Sequence, residues 1–196
     1  MTEVHQIDFP KDDSWFTGPL PENPAVPSGW RGLEKIMPSL IKLFCRNDRV
    51  TALEFGVEYG YSTAILAQLF GHVLGVDTFV GDDHSSHKED HHEITLKNLA
   101  PWRNITLAQR DYRHFIKETE SWPEGAHFSL IHVDMMHDFE TTYTAGRWAA
   151  DHAPVVIFHD TNYLWPEVKQ AIIQIAEETG KDVYEYKECF GLGILI

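Results

Sequence analysis

Two apolar runs in this sequence end in acids, and together those acids could hold a cation. Phe128-Ser129-Leu130-Ile131-His132-Val133 delivers Asp134, and Pro154-Val155-Val156-Ile157-Phe158-His159 delivers Asp160. If both runs are buried strands, two carboxylates face one cleft, where they repel each other unless compensated. A divalent cation is the simplest compensation, and oxygen ligands favour magnesium, manganese or calcium. His159 could add a nitrogen ligand, and Asn162 lies close behind. Taken singly, each acid could as well cap a helix following its strand. The pair is what points to a metal.

A second constellation is Leu53-Glu54-Phe55-Gly56-Val57-Glu58-Tyr59-Gly60-Tyr61-Ser62-Thr63. It joins an apolar run, Val50 to Phe55, to a helix expected over Ala64 to Phe70. Gly56 and Gly60 allow backbone conformations and close approaches that a side chain blocks, and Ser62-Thr63 can cap the helix. That is the shape of a nucleotide-type pocket. The spacing E-x-G-x-x-x-G differs from the dinucleotide fingerprint and lacks the Gly-Lys-Ser/Thr of a phosphate-binding loop, so a phosphate cradle is not the best reading.

Both constellations need a scaffold that brings strand ends together. Strand patterns fall at Val50–Phe55, His72–Asp77, Ile105–Ala108, Phe128–Val133, Pro154–Phe158, Asp182–Tyr186 and Gly191–Ile196, with helical periodicity between them. Before the first, Leu33, Ile36, Met37, Leu40, Ile41 and Phe44 follow helical spacing. Such alternation predicts an α/β domain whose mostly parallel sheet is covered by helices on both faces, with ligands at the carboxyl ends of the strands. Residues 1–30, with prolines at 10, 19, 21, 24 and 27, read as an extended arm pinned by Trp15, Phe16 and Trp30; residues 31–196 read as one domain.

Composition narrows the partners. The chain has 196 residues, 43% hydrophobic, enough for one packed core. Its 16 basic and 30 acidic residues give a formal charge of −14, which disfavours nucleic acid and suits an enzyme of small molecules. Cys45 and Cys189 show no metal or redox spacing and read as buried reduced thiols. With no leader pattern and no membrane-length apolar run, the expectation is a soluble cytoplasmic protein. Homo-oligomerisation is left open.

The glycine turn resembles the first motif of class I S-adenosylmethionine-dependent methyltransferases. The resemblance implies a Rossmann-like sheet of seven strands with the last antiparallel, for which Phe190 to Ile196 is suited. It also implies that Glu54, Gly56, Tyr59, Gly60, Ser62 and Thr63 build the cofactor turn, that Asp77 and Thr78 meet the ribose, and that Asp111 reaches the adenine amino group. Three further blocks, Asp77-Thr78-Phe79-Val80-Gly81-Asp82-Asp83-His84, His132-Val133-Asp134-Met135-Met136-His137-Asp138-Phe139-Glu140 and Phe158-His159-Asp160-Thr161, are similar to the D-x-W-x-G-D-x-H, H-I-D-G-x-H-x-Y-E and F-H-D-T blocks of methyltransferases related to macrolide-sugar O-methyltransferases. There Asp134, beside the cofactor, would join His159 and Asp160 in holding the metal, and His137 would be the base. Met135 stands where that subgroup has glycine, and the paired glycines usual before the fifth strand are missing from Asp151-His152-Ala153-Pro154.

The implied reaction is methyl transfer from S-adenosylmethionine to a hydroxyl of a small acceptor (sugar, polyol or phenol), assisted by magnesium or manganese. A hydroxyl is a poor nucleophile at neutral pH; metal coordination acidifies it, and a neutral imidazole with an ordinary pKa near 6.5 can take the proton. Among 12 histidines, position alone singles out His137. The loop Gly81 to His92 carries His87 and His91 at chelating spacing on a helix, but its charge and lack of apolar anchors favour a mobile lid, with His84 the member most apt to touch substrate or metal. Other readings are a metal-independent methyltransferase, a cofactor-binding protein without catalysis, and an iron oxygenase using His132, Asp134 and His159, which leaves the glycine turn unexplained.

Overall fold

The computed structural model describes residues 2–23, 27–45, 49–82, 84–85, 88–122 and 127–196. Strands and helices alternate as β1 (Val4–Gln6), α1 (Met37–Phe44), β2 (Thr51–Phe55), α2 (Tyr61–Leu69), β3 (His72–Asp77), α3 (His92–Leu99), β4 (Ile105–Gln109), α4 (Tyr112–Thr119), β5 (Leu130–Val133), α5 (Phe139–His152), β6 (Val156–His159), α6 (Pro166–Thr179), β7 (Val183–Tyr186) and β8 (Leu192–Leu195). One sheet has the order β1-β7-β8-β6-β5-β2-β3-β4. β8 runs antiparallel to β6 and β7, and every other pair is parallel. The fold is a Rossmann-like α/β sheet, as the sequence implies.

The seven expected strands are joined by an eighth. β1 comes from the segment read as an extended arm, pairing Val4 with Val183, and Ile7 N–H adds a bond to Glu185 O at 3.0 Å. Three residues are too few to display a period, so only the open edge of β7 reveals this strand. The periodic run Leu33 to Phe44 is also divided, into a 3-10 turn at Leu33–Lys35 and α1, because Pro38 has no N–H to donate and fits only the first turn of a helix.

Alternation along the strands sorts side chains between two cores. On β2, Ala52 packs with α1 and α2, while Leu53 and Phe55 pack with α4, α5 and α6. Glu54 points to the Ala52 face, so burial of this acid is dictated by period alone. The chain moves outward from β2 to β3 and β4, then crosses to β5 on the other side of β2. The crevice left at the carboxyl edge of such a reversal is where ligands bind in this class of sheet. Both cysteines are free thiols, Cys45 buried and Cys189 only half-buried. Among the described residues, no helix is long and apolar enough to cross a membrane.

Candidate active site

A cavity of about 600 Å³ opens at that edge, walled by the ends of β2 to β6 and roofed by parts of the segments 27–30 and 80–85. Its first wall is backbone. Gly56, at φ 89°, sits so close to β5 that a Cβ would lie 1.7 Å from the carbonyl oxygen of Asp134. Gly60, at φ 92°, is the residue on which α2 starts, and a Cβ there would meet Leu99 at 2.8 Å. Left-handed backbone at both positions explains the glycine spacing. Asp77 accepts from three N–H groups, those of Val57 at 2.7 Å, Glu58 at 2.9 Å and Phe79 at 2.7 Å, tying the turn to the end of β3.

Ser62 and Thr63 do not cap α2. The helix already begins at Tyr61 and no side-chain cap is made; Thr63 Oγ1 instead hydrogen-bonds Glu54. Glu54 is wholly buried and also takes His132 Nδ1 at 2.9 Å, its partner in strand register. Gly56, Ser62, Asp77, Thr78 and Asp111 line the cavity, whereas Glu54, Tyr59, Gly60 and Thr63 stand behind its wall and shape it. For Glu54 and Thr63 the reason is the face they occupy; the Tyr59 ring stacks on His91 at 4.9 Å. Asp111 caps α4 by accepting from Arg113 N–H, and the Arg113 guanidinium holds its carboxyl below the usual range.

The second wall is made of charged side chains. Asp134 and Asp160 cap no helix, since α5 starts on Asp138 and α6 on Trp165. Asp160 has φ 60°, a left-handed conformation that aspartate tolerates better than most residues. Ligand atoms of Asp134, His137 and Asp160 lie within 4.8 Å of one another, a spacing that suits a cation. His137 Nε2 is 3.0 Å from Asp160 Oδ2 and 3.6 Å from Asp134 Oδ1. His159 Nδ1 is 3.0 Å from Asp160 Oδ2 and 3.4 Å from Asp134 Oδ2. Its Nε2 donates to Cys189 O at 3.0 Å, the outer bond that turns a metal-ligating imidazole toward its ion. Two carboxylates and such an imidazole fit magnesium or manganese.

Within the cluster the charges of acids and imidazoles balance one another. Burial works against charge on both imidazoles, but Asp134 and Asp160 outweigh it and raise His137 to about 9 and His159 to about 10. Burial likewise pushes Asp134 up, and the charge of His159 with hydrogen bonds from both histidines takes it well below the usual range. Burial opposes the charge on Asp160 too, yet bonds from His137 and His159 lower it.

The roof also departs from expectation. His84 stacks on Trp165 at 4.6 Å and on His137 at 5.6 Å, and its Nδ1 accepts the His137 backbone N–H at 3.0 Å. His91 is buried. The segment from Gly81 to His92 therefore has aromatic anchors at its described residues; His87 lies outside them. Met135 does not enter the left-handed region, so the missing glycine costs this loop nothing. Trp30 and Trp165 are the site residues that motif reading missed, because each comes from a different segment and only the fold joins them to Asp134 and His137.

A family model described as a methyltransferase domain matches residues 53–161, more than half of the chain and the whole stretch from glycine turn to second acid. The chain belongs to that methyltransferase family. Solved structures carry the same fold. An O-methyltransferase from Bacillus cereus, in complex with S-adenosylhomocysteine, matches with TM-score 0.60 at 15% identity, over 84% of this chain and 80% of that one. The TDP-rhamnose 3′-O-methyltransferase CalS11, an enzyme in calicheamicin biosynthesis, matches with TM-score 0.57 at 16% identity, over 80% and 76%. The fibrillarin pre-rRNA processing protein of Methanococcus jannaschii matches with TM-score 0.51 at 15% identity, over 76% and 67%. No curated protein sequence matches this methyltransferase. At 15–16% identity these neighbours show the fold alone.

Proposed function

We propose that this methyltransferase transfers a methyl group to a hydroxyl of a small acceptor (sugar, polyol or phenol), with magnesium or manganese at the acid cluster. The observation that carries the reading is the convergence of Asp134, His137 and Asp160 on one rim of the cavity whose other rim is the glycine turn. Gly56, Ser62, Asp77, Thr78 and Asp111 hold the cofactor, and Glu54, Tyr59, Gly60 and Thr63 hold the shape of its turn. Asp134, Asp160 and His159, through Nδ1, hold the cation. S-adenosylmethionine supplies an electrophilic methyl group and the cation lowers the pKa of the acceptor hydroxyl.

His137 is the base. With Nε2–H directed at Asp160, its Nδ1, buried and without a hydrogen-bond partner among the described residues, is the atom that takes the acceptor proton. His137 must first be neutral, and a cation on the two acids weakens the field that keeps it charged. His84 stacks over His137 and excludes water from it. The net charge of −14 supports a small acceptor over a nucleic acid, and two free thiols support a reducing, cytoplasmic setting. We read residues 1–30 as an arm completing the single domain, 31–196.

A second reading is a methyltransferase without metal, in which the two imidazoliums balance the acids and His137 acts as base only once pH approaches its raised value of about 9. Calorimetry with S-adenosylhomocysteine tests the cofactor half, and methyl transfer to catechols, sugars, polyols and RNA fragments, in magnesium and in chelator, tests the rest. Loss of turnover in chelator supports the metal. Full activity there leaves the second reading, transfer to RNA alone removes the small acceptor, and failure to bind S-adenosylhomocysteine removes the placement of the cofactor.

A further inference from the structure

Trp30 does more than pin the N-terminal segment. Its ring is buried, 2% exposed, edge-on to His132 with centroids 4.6 Å apart and tilted against His159 at 5.9 Å. Its indole Nε1–H donates to Asp134 Oδ2 at 3.2 Å. On that carboxylate Oδ2 takes the indole and also faces His159 Nδ1 at 3.4 Å and His132 Nε2 at 3.9 Å, while Oδ1 is turned to His137. Among the described residues, the other side-chain donors facing Asp134 are imidazoles, which carry charge when protonated, whereas indole is a neutral donor and nothing else. It can fix the carboxylate rotamer without neutralising it.

The backbone around Trp30 holds the ring in place. Trp30 N–H donates to Ser28 Oγ at 3.2 Å, and its carbonyl accepts from Leu33 N–H at 2.9 Å. Just before it, Gly29 passes so near the cluster that a Cβ would lie 3.1 Å from His159 Cε1. Behind Asp134, His132 is locked by Glu54, so the carboxylate rests between a rigid buried wall and the indole.

We infer that Trp30 is a positioning residue for Asp134, and that the N-terminal segment is part of the acceptor side of the site through it. The inference rests on the proposed cation site. In the full chain, Trp30→Phe keeps the ring and deletes the donor. Manganese affinity, read from the resonance of the free ion, should fall roughly 10–100-fold, as for other outer partners of metal ligands. S-adenosylhomocysteine affinity should stay within about twofold, which a merely structural loss would not allow. A second measurement needs no variant: in the wild type, saturating magnesium should shift the Trp30 indole N–H resonance and leave that of Trp122, on the far side of the sheet, in place. Unchanged manganese affinity in a folded Trp30→Phe protein, or an unmoved Trp30 resonance at saturation, overturns the inference and leaves the cation site standing. A wild type that binds neither ion overturns the cation site and this inference with it.

Discussion

Around the glycine turn the decisive contacts are made by backbone, with Asp77 gathering three N–H groups and Gly56 pressed against the Asp134 carbonyl. Around Asp134 and Asp160 they are made by side chains from separate segments, Trp30, His132, His137 and His159. The first arrangement is fixed by backbone geometry. The second is a balance of charges that protons and ions can shift. An enzyme that must hold one cofactor and deprotonate an acceptor has reason to keep these two kinds of wall apart, and Gly56 is where they touch.

The contrast breaks most sharply at the acids. Asp134→Ala or Asp160→Ala should abolish cation-dependent turnover while S-adenosylhomocysteine affinity, measured by calorimetry, changes little, since neither carboxylate belongs to the turn. A large loss of cofactor affinity in either variant would mean that the walls are not independent.

Next in size is His137→Ala. Removal of a positioned base costs roughly 10²–10⁴ in rate. The same protein decides between the two imidazoles: if His159 is the nitrogen ligand, manganese affinity survives in His137→Ala, and its disappearance would instead make His137 a ligand and deny it the role of base.

What was legible in the sequence follows the same division. The turn could be read because left-handed glycines and an acid at a strand end are fixed by spacing along one stretch of chain. Asp134 and Asp160 could be read because parallel strands bring their carboxyl ends together whatever lies between. The place of Glu54 behind the pocket wall was not legible, because both faces of β2 are covered and alternation alone does not say which side chains meet the cavity. Trp30 and Trp165 were not legible as site residues, since nothing local distinguishes a tryptophan that packs from one that donates to a carboxylate 104 positions away. β1 was missed because its pairing partner, β7, comes almost at the end of the chain.

The turn itself can be tested at Asp77. Asp77→Ala removes the acceptor of three backbone N–H groups along with the expected ribose contact. Loss of hydrogen bonds to a charged group, about 1.5–3 kcal/mol, corresponds to roughly 10–100-fold weaker S-adenosylhomocysteine binding. Manganese affinity should be unaffected. Unchanged cofactor affinity would show that the backbone holds its shape without the acid.

The smallest effect is in the stability of the free protein, and it carries the sign of the charge balance. His137 at about 9 and His159 at about 10 lie above the unfolded value of 6.5, so their protonated forms stabilise the fold. That contribution is complete below pH 6.5 and is lost as pH rises through 9 and 10. Asp134 and Asp160 are shifted the other way, below 3.8, so theirs is present above that value and is lost as acid protonates them. The melting temperature should therefore decline between about pH 6.5 and pH 10, each kcal/mol lost being worth roughly 2–4 °C for a chain of this size. Magnesium should reverse the trend, because an ion that replaces the imidazole protons binds better as those protons leave, and bound ligand stabilises by mass action. S-adenosylhomocysteine, resting on the backbone-built wall, should raise the melting temperature by a similar amount at about pH 6.5 and pH 9. If magnesium gives equal shifts at both pH values, the ion does not compete with protons on His137 and His159, and the two walls differ in composition without differing in how they respond to pH.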